Sequence, residues 1–299
     1  MKYRELQDIK GKMFYNEPLS KHTSLKIGGP AGAYLALEDP SELKRVVDYS
    51  AANDIPLMIL GNGTNVLVSD NGFDGIVIHL PSGISTLDPD YKIEKRLVVE
   101  AGCPMSELIR YCEKNNIGGL EFLIGIPGTI GGLVVSNAGS HGKEICDFIV
   151  SVECINKKTG KVNSFQNEEC KFTYRSSIFI KKTDWIITRI ILQMPDMPFT
   201  RDIGQSLKKW RRRTQPVTHP NIGSIFKNPD GHYAGELIEK YVGKGFSVGK
   251  AAVSTEHANI FINTGGATSD DFKQLIAHAK NVVYDNTGVR LEEEITYIG

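Results

Sequence analysis

The chain contains a glycine-rich stretch, Gly125-Ile-Pro-Gly-Thr-Ile-Gly-Gly132, which is followed by Asn137-Ala-Gly-Ser-His-Gly142. Six glycines fall within the eighteen residues 125–142, and the stretch carries little charge. A backbone this rich in glycine can approach a bound group closely and present N–H donors to an anion. The stretch therefore predicts a tight cradle around a pyrophosphate. Because it lacks the Gly-Lys-Ser/Thr of a Walker loop, ATP hydrolysis is not expected.

A second glycine turn, Leu60-Gly-Asn-Gly-Thr-Asn65, lies upstream between two apolar runs that predict strands over 55–60 and 66–69. It is not the dinucleotide fingerprint G-x-G-x-x-G, because Val66 stands where the third glycine belongs and no helix follows. Either turn alone is more often an ordinary turn. Two such turns in one domain favour a dinucleotide over a mononucleotide.

Composition narrows the class of protein. The chain has 299 residues, of which 40% are hydrophobic and 23% charged, as is typical of a soluble globular protein with two or three domains. Because 35 basic residues balance 35 acidic ones, a general nucleic-acid binder is not expected. The start of the chain does not resemble a signal peptide, and no run approaches the roughly 20 apolar residues that cross a bilayer. No membrane insertion is therefore expected.

The five cysteines include no C-x-x-C pair, and the seven histidines show no metal-ligand spacing with them. An odd number of cysteines in a chain of this size does not indicate a disulfide framework. We expect buried, reduced thiols in a cytoplasmic protein and no metal site.

Apolar periodicity predicts the elements around the two glycine turns. Helices are predicted over 41–53 with Ser41 as N-cap, over 104–115, over 202–213, and over 269–286 with Gly288 as C-cap. Further strands are predicted over 75–80, 97–101, 149–155, 185–192 and 289–298. The last strand would place Val289, Leu291, Ile295 and Tyr297 on one face, with Glu292 and Glu294 on the other.

Three further segments carry chemical groups. Tyr174-Arg-Ser-Ser177 offers a guanidinium that can hold a carboxylate or phosphate, although a surface ion pair is the more common role of such an arginine. Gly223-Ser-Ile-Phe-Lys-Asn-Pro229 combines a hydroxyl, a cation and an amide. The basic run 208–213 ends a predicted helix, so it can complement the helix dipole or bind a diphosphate. Spacing alone singles out neither one of these cations nor one carboxylate of 292–294.

Taken in order, these segments resemble the UDP-N-acetylenolpyruvoylglucosamine reductase family, which are flavoenzymes of peptidoglycan synthesis. The segments that match span nearly the whole chain and are 23–30 (Thr-Ser-Leu-Lys-Ile-Gly-Gly-Pro), 60–65, 125–132, 137–139, 174–177, 223–229 and 291–295. No single segment is decisive, but the ordered set is highly specific. The chain is similar to the family's shorter subtype, which lacks an insertion in the third domain.

The resemblance implies an α+β fold. An FAD-binding part of the vanillyl-alcohol oxidase type would form two α/β subdomains, followed by a C-terminal α+β substrate domain. The first subdomain would comprise residues 1–82, with the strand 288–299 returning to it. The second subdomain would comprise residues 83–198, and the substrate domain residues 199–287.

The resemblance also implies the cofactors and the substrate. Neither glycine turn has a histidine or cysteine at the usual flavin-linking place, so FAD would be bound non-covalently. NADPH would be the hydride donor, and the enolpyruvyl ether of a UDP-sugar would be reduced to UDP-N-acetylmuramate. The residues that would hold FAD are Gly61, Asn62, Gly63, Thr64, Asn65, Gly125, Ile126, Pro127, Gly128, Thr129, Gly132, Asn137, Ala138 and Gly139.

The chemistry then gives each catalytic group a role. Hydride addition to an enol ether conjugated with a carboxylate builds negative charge on that carboxylate, with carbanion character at the adjacent carbon. By resemblance, Arg175 would stabilise this charge, and Ser224 would donate a proton to the carbanion carbon. Glu294 would assist beside the same charge, which requires a raised pKa or a bridging donor. Substrate-binding residues would be Tyr174, Lys227 and Asn228.

Three positions depart from the family pattern. Ser136 and His141 stand where a larger apolar residue and a tyrosine are expected around Asn-Ala-Gly. Because both flank the predicted flavin cradle, the departures concern local contacts there. Glu293 stands where relatives often have proline, and no function is attached to it.

Two other functions fit the residues. One is a flavin oxidase of the same fold that passes electrons to oxygen. Such enzymes commonly tether FAD through a histidine or cysteine of the first loop, which Asn62, Thr64 and Asn65 do not offer. The other is a non-catalytic nucleotide-binding module in which the candidate catalytic residues are only structural.

Overall fold

The computed structural model of the chain describes residues 3–86 and 95–299. Residues 1–2 and 87–94, which fall in the predicted first and second subdomains, lie outside the described residues. The chain forms two compact units. Unit 1 comprises Met1–Tyr15, Gly32–Gly61 and Gly75–Lys208, and unit 2 comprises Asn16–Ala31, Asn62–Asp74 and Lys209–Gly299. The finer division at 82, 198 and 287 stays a prediction.

The secondary structure alternates short strands with a few longer helices. The strands are β1 (Gly11–Pro18), β2 (Pro30–Leu37), β3 (Leu57–Ile59), β4 (Val66–Val68), β5 (Phe73–His79), β6 (Ile84–Thr86), β7 (Arg96–Glu100), β8 (Gly139–Ser140), β9 (Lys143–Glu144), β10 (Ile149–Asn156), β11 (Val162–Gln166), β12 (Trp185–Gln193), β13 (Asn221–Ser224), β14 (Ser247–Val248), β15 (Ala251–Val253), β16 (Ile260–Asn263) and β17 (Thr296–Ile298). The helices are α1 (Glu42–Ala52), α2 (Met105–Lys114), α3 (Ile130–Val135), α4 (Ile178–Lys181), α5 (Arg201–Thr214), α6 (Ala234–Tyr241) and α7 (Ser269–Thr287).

Unit 1 is organised around two sheets. The first has the order β1-β2-β5-β3, with β3 and β5 parallel, and most of its residues belong to unit 1. The second is antiparallel, with the order β11-β10-β12-β7-β6. Helix α3 contacts β7 and β12, so the glycine-rich stretch that begins α3 rests on this second sheet. Helix α2 buries Met105, Leu108 and Cys112 in the core of unit 1, with Ile109 partly buried against it.

Unit 2 contains the antiparallel sheet β13-β16-β15-β14 and the parallel pair β4 and β17. Helix α7 contacts β14, β15 and α6, and its buried face follows the spacing predicted from the sequence. The side chains of this face that lie in the core of unit 2 are Phe272, Ile276, Ala279 and Val283. The C-cap of α7 is Gly288, as predicted, with the left-handed φ of +71° that glycine adopts readily.

One local prediction is wrong, and the predicted N-cap of α1 is confirmed without the usual cap hydrogen bond. Residues 289–298 do not form one strand, because β17 covers Thr296–Ile298 and pairs with β4, whereas Glu293 forms an isolated bridge with Phe226. Two different partners divide the segment. Ser41 does occupy the N-cap position of α1, but its hydroxyl donates to Asp39 Oδ1 at 2.6 Å instead of accepting from the helix.

The thiols and the helices give two further observations. The five cysteines are all unpaired, and four of them are buried, with Cys146 partly exposed. Burial raises the pKa of Cys103 to about 11 and that of Cys112 to about 12.

Across residues 3–86 and 95–299, no helix is both long enough and apolar enough to traverse a membrane.

Candidate functional site

The second glycine turn, residues 125–132, leads directly into α3. Gly125 and Gly128 have φ values of +81° and +133°, which residues with side chains rarely adopt. Thr129, which is 4% exposed, caps α3 because its Oγ1 accepts a hydrogen bond from the Gly132 N–H at 3.5 Å. Gly132 is exposed, and among the described atoms a Cβ built there would meet only Thr129 Oγ1, at 3.6 Å. The turn thus leaves space at Gly132.

Two other N–H groups at the start of α3 already have protein acceptors. The Ile130 N–H donates to the Cys103 carbonyl and the Gly131 N–H to the Ala101 carbonyl, both at 2.9 Å. These bonds fasten α3 to the segment that follows β7. The first turn of α3 is therefore committed to the fold and is not a free anion site.

The first glycine turn reaches the second one within unit 1. A Cβ on Gly61 would lie 2.5 Å from Thr129 Oγ1, a separation that real Cβ atoms do not show. The two turns predicted independently from the sequence thus meet at Gly61 and Thr129. This contact requires glycine at position 61.

The rest of the first turn belongs to unit 2, where several backbone contacts fix it. Gly63 has a φ of +59°, and its carbonyl accepts the Ser24 N–H at 3.0 Å. Asn65 Nδ2 donates to the Glu294 carbonyl at 3.1 Å, and the Thr296 N–H donates to the Asn65 carbonyl at 3.0 Å. The first glycine turn is therefore tied to the segment that carries Glu294.

Arg175 lies in unit 1 at the corner of a tight turn, with the left-handed φ of +51°. Mutual backbone hydrogen bonds between Thr173 and Ser176 close this turn. The Arg175 guanidinium donates from Nη2 to the Gly139 carbonyl at 2.8 Å and lies 5.2 Å from the Tyr174 ring centroid. Tyr174, Arg175 and Gly139 are thus brought together.

A buried amide joins this turn to the Asn-Ala-Gly segment. Asn137 is fully buried, and its Nδ2 donates to Glu144 Oε2 at 2.7 Å and to the Thr173 carbonyl at 3.0 Å. Its Oδ1 accepts the Cys146 N–H at 3.3 Å. A buried amide with this many partners orients its surroundings, because unmade hydrogen bonds in the interior are costly. Asn137 therefore fixes the loop that carries Arg175.

In unit 2, Ser224 and Glu294 lie on adjacent segments. Ser224 ends β13, is partly exposed, and follows Gly223, whose φ is +75°. The Glu294 N–H donates to the Ile225 carbonyl and the Lys227 N–H to the Glu292 carbonyl, both at 2.8 Å. This pairing brings the Gly223–Pro229 motif beside the three glutamates.

The remaining predicted residues have mixed environments. Lys227 Nζ pairs with Glu292 Oε1 at 2.6 Å, while Asn228 Oδ1 accepts the Ala234 N–H at the start of α6. Within the run 208–213, burial lowers the pKa of Arg211, whereas Lys208, Lys209, Arg212 and Arg213 are exposed.

Comparison with known proteins identifies the family. Residues 215–298 match the C-terminal domain of UDP-N-acetylenolpyruvoylglucosamine reductase, and residues 31–165 match the FAD binding domain. The chain is 40% identical over 291 residues to the UDP-N-acetylenolpyruvoylglucosamine reductase of Caldanaerobacter subterraneus, covering 97% of this chain and 94% of the relative. The chain belongs to the UDP-N-acetylenolpyruvoylglucosamine reductase family.

Further relatives agree with this assignment. The UDP-N-acetylenolpyruvoylglucosamine reductase of Bacillus subtilis is 35% identical over 300 residues, covering 98% of both chains. The crystal structure of UDP-N-acetylenolpyruvylglucosamine reductase from Thermus caldophilus superposes with a TM-score of 0.77 at 30% identity, covering 97% of this chain and 100% of that one. The predicted α+β fold, with an FAD-binding domain and a C-terminal domain, is confirmed. This member of the reductase family is an oxidoreductase, and FAD is its cofactor.

Some positioning residues of this reductase escape motif reading. Glu144 bonds Asn137, and Asn259 bonds both backbone groups of Phe226 through its amide. Ser24 Oγ donates to the Asn221 carbonyl at 2.6 Å. A possible signal for Ser24 was its place in the Thr23–Pro30 motif; the other two depend on partners distant in sequence.

The three departures from the family pattern have local explanations. Ser136 donates back to the Gly132 carbonyl at 3.3 Å, as a hydroxyl at a helix end can. His141 has a φ of +56° and pairs with Ser140. Glu293 accepts hydrogen bonds from Lys280 Nζ and from the Tyr297 hydroxyl, both at 2.6 Å. Glu293 thus connects its segment to α7.

Proposed function

We propose that this protein uses NADPH to reduce the enolpyruvyl ether of UDP-N-acetylglucosamine to UDP-N-acetylmuramate, a peptidoglycan precursor. The supporting observation is the position of Arg175. Its guanidinium is held against the Gly139 carbonyl, at the end of the glycine-rich stretch within the region that matches the FAD binding domain. A fixed cation beside a flavin site suits a substrate that develops negative charge on a carboxylate.

The residues present fit a dinucleotide cofactor. Residues 125–139 contain no charged side chain, so a pyrophosphate there would be held by backbone N–H groups. Because the first turn of α3 is committed to the fold, we assign this contact to the N–H groups of Gly128 and Thr129. Exposed Gly132 would leave room for the cofactor. When bound non-covalently, FAD supplies the hydride transfer between nicotinamide and substrate.

Arg175 would bind the carboxylate of the enolpyruvyl group. The two parallel N–H bonds that a guanidinium offers suit a carboxylate, and charge stabilisation is largest where charge increases during the reaction. Tyr174, which is 48% exposed beside Arg175, would contact the same substrate. Lys227 and Asn228 would bind the sugar nucleotide.

Ser224 and Glu294 would complete the reduction. The Ser224 hydroxyl would donate its proton to the carbon next to the carboxylate. A serine hydroxyl is a weak acid, but it can protonate this carbon because the developing carbanion is strongly basic. Glu294 would assist beside the developing charge. Ser224 is accessible enough for this role, and its segment is hydrogen-bonded to the segment of Glu294.

The change Ser224→Ala tests the assignment. Bleaching of the flavin by NADPH should survive, while reoxidation by the enolpyruvyl sugar nucleotide should slow about a hundredfold or more, the scale of general acid catalysis. Stopped-flow absorbance measures both half-reactions. Equal loss of both would contradict the role of Ser224.

The colour of the purified protein and its behaviour in air test the activity itself. A yellow chromophore that acid releases is expected for non-covalent FAD. Rapid bleaching by NADPH with little peroxide is expected until the sugar nucleotide is added, whereas rapid peroxide formation would favour an oxidase. The cytoplasmic location and the lack of a nucleic-acid partner stay predictions.

A further inference from the structure

We propose that Glu144 is a positioning residue with two separable roles, one through its charge and one through its hydrogen bond. Its negative charge moderates the affinity of Arg175 for the carboxylates of substrate and product, and its oxygen holds Asn137 in place. The proposal rests on the proposed function, because it assigns the carboxylate ligand to Arg175.

The contacts of Glu144 place its two carboxylate oxygens against two different groups. Oε2 accepts the hydrogen bond from Asn137 Nδ2 at 2.7 Å, and Oε1 lies 3.9 Å from Arg175 Nη1. The Glu144 side chain is 29% exposed and that of Arg175 is 19% exposed, so water screens the pair only in part.

The backbone of Glu144 is also connected to the Arg175 guanidinium, through Gly139. Glu144 is the register partner of Gly139 in the β8–β9 pair, and the Gly139 carbonyl accepts the Arg175 guanidinium. The Glu144 N–H donates to Asp147 Oδ2 at 3.0 Å, which holds the residue from its other side. The carboxylate is therefore fixed and cannot retreat from a ligand that approaches Arg175.

A fixed carboxylate beside a guanidinium cancels part of its charge. An incoming carboxylate is then bound less tightly, because it is repelled by Glu144 while it is attracted by Arg175. The reaction reduces the carbon–carbon double bond and leaves the carboxylate of the substrate intact. The same moderation therefore applies to the product and favours its release.

The change Glu144→Gln separates the two roles. Glutamine keeps an oxygen that can accept from Asn137 but removes the charge. The Kd of UDP-N-acetylmuramate, measured by calorimetry on the flavin-loaded protein, should fall about threefold to fivefold, the effect of one partly exposed ion pair. A residue with only a structural role would leave the Kd unchanged or raise it, and either result would overturn the charge role.

Asp147→Asn is the matched control, because it removes a neighbouring negative charge while its amide oxygen can still accept the Glu144 N–H. It should change the Kd less than twofold. Equal tightening in both variants would show a general charge effect and overturn the assignment to Glu144.

Glu144→Met removes the charge and the acceptor together. It should bind UDP-N-acetylmuramate more tightly wherever flavin is retained, but its flavin content should fall, since Asn137 loses a partner. The variant Glu144→Gln should keep its flavin. Loss of flavin from Glu144→Gln, or full retention in Glu144→Met, would refute the hydrogen-bond role. If the wild-type protein binds no UDP-N-acetylmuramate at all, the proposed function fails instead.

Discussion

The loop around Asn137 and Arg175 in unit 1 and the paired segments around Ser224 and Glu294 in unit 2 hold their polar groups in different ways. In unit 1, one fully buried amide links three separate segments through its side chain. In unit 2, backbone hydrogen bonds join residues 225–227 to 292–294, and the side chains of the Lys227–Glu292 ion pair are 19% and 74% exposed.

The difference predicts where each region is vulnerable. A buried side-chain hydrogen bond has no water to replace it when one partner is removed, whereas an exposed ion pair does. The geometry around Arg175 should therefore depend on single side chains. The geometry around Ser224 should depend mainly on the backbone.

The change Asn137→Ala should have the largest effect. It removes the acceptor of the Cys146 N–H and one donor each from the Thr173 carbonyl and Glu144 Oε2, and it puts alanine at a φ of +46°. We expect a loss of about 3 kcal/mol in the free energy of unfolding, measured in urea, together with reduced flavin content. The control Asn286→Ala removes an exposed amide that bonds the Val282 carbonyl and should cost less than about 0.5 kcal/mol. Similar losses in both variants would contradict the expectation that the region around Arg175 depends on single buried side chains.

In unit 2, the free energy of unfolding should depend on pH through His257. Burial lowers the pKa of His257 from its ordinary value of 6.5, and Nδ1 accepts the Asn259 N–H at 3.3 Å. Because the folded pKa lies below the unfolded one, this histidine contributes stability that is present above pH 6.5 and lost as the pH falls through the folded pKa.

The change His257→Asn tests this. It keeps an acceptor but cannot be protonated, so its free energy of unfolding should fall less steeply than that of the wild type between about pH 8 and about pH 5. Urea titrations at several pH values measure both slopes. Identical slopes would show that His257 titrates alike in both states.

The smallest effect on stability is expected at the exposed ion pair. Lys227→Met and Glu292→Gln each break the contact between these side chains, of which Glu292 is 74% exposed. Each change should alter the free energy of unfolding by less than about 0.5 kcal/mol. If Lys227 binds the sugar nucleotide, Lys227→Met should raise the KM for it, while Glu292→Gln should not. A large loss of stability in either variant would mean that side chains also hold this region.

The sequence predicted the parts of the fold that local patterns control. Helices α2 and α7 follow the 3.6-residue spacing of their buried residues, and Gly288 ends α7 with a left-handed φ that glycine adopts readily. The segment 289–298 was misread because strand pairing is not local: 293 and 296–298 pair with different partners.

The same distinction applies to the candidate site. The motifs indicated that Gly61, the 125–132 turn, Asn137 and Arg175 belong to one region, and the structure places them together within unit 1. The sequence could not show that Glu144 accepts a hydrogen bond from Asn137, because the fold of the loop, and not the spacing of residues, determines which acceptor lies beside this amide. Nor could it show that the first N–H groups of α3 are already occupied by carbonyls of residues 101 and 103.

The parallel pairing of β4 with β17 has a consequence for biosynthesis. Asn65 and Glu294, which this pairing brings together, are separated by 229 positions along the chain. During translation, the first glycine turn cannot pair with residues 294–298 until these residues have left the ribosome. The cofactor site should thus be completed only once residues 294–298 have been synthesised, so nascent chains arrested before residue 294 should not acquire the flavin.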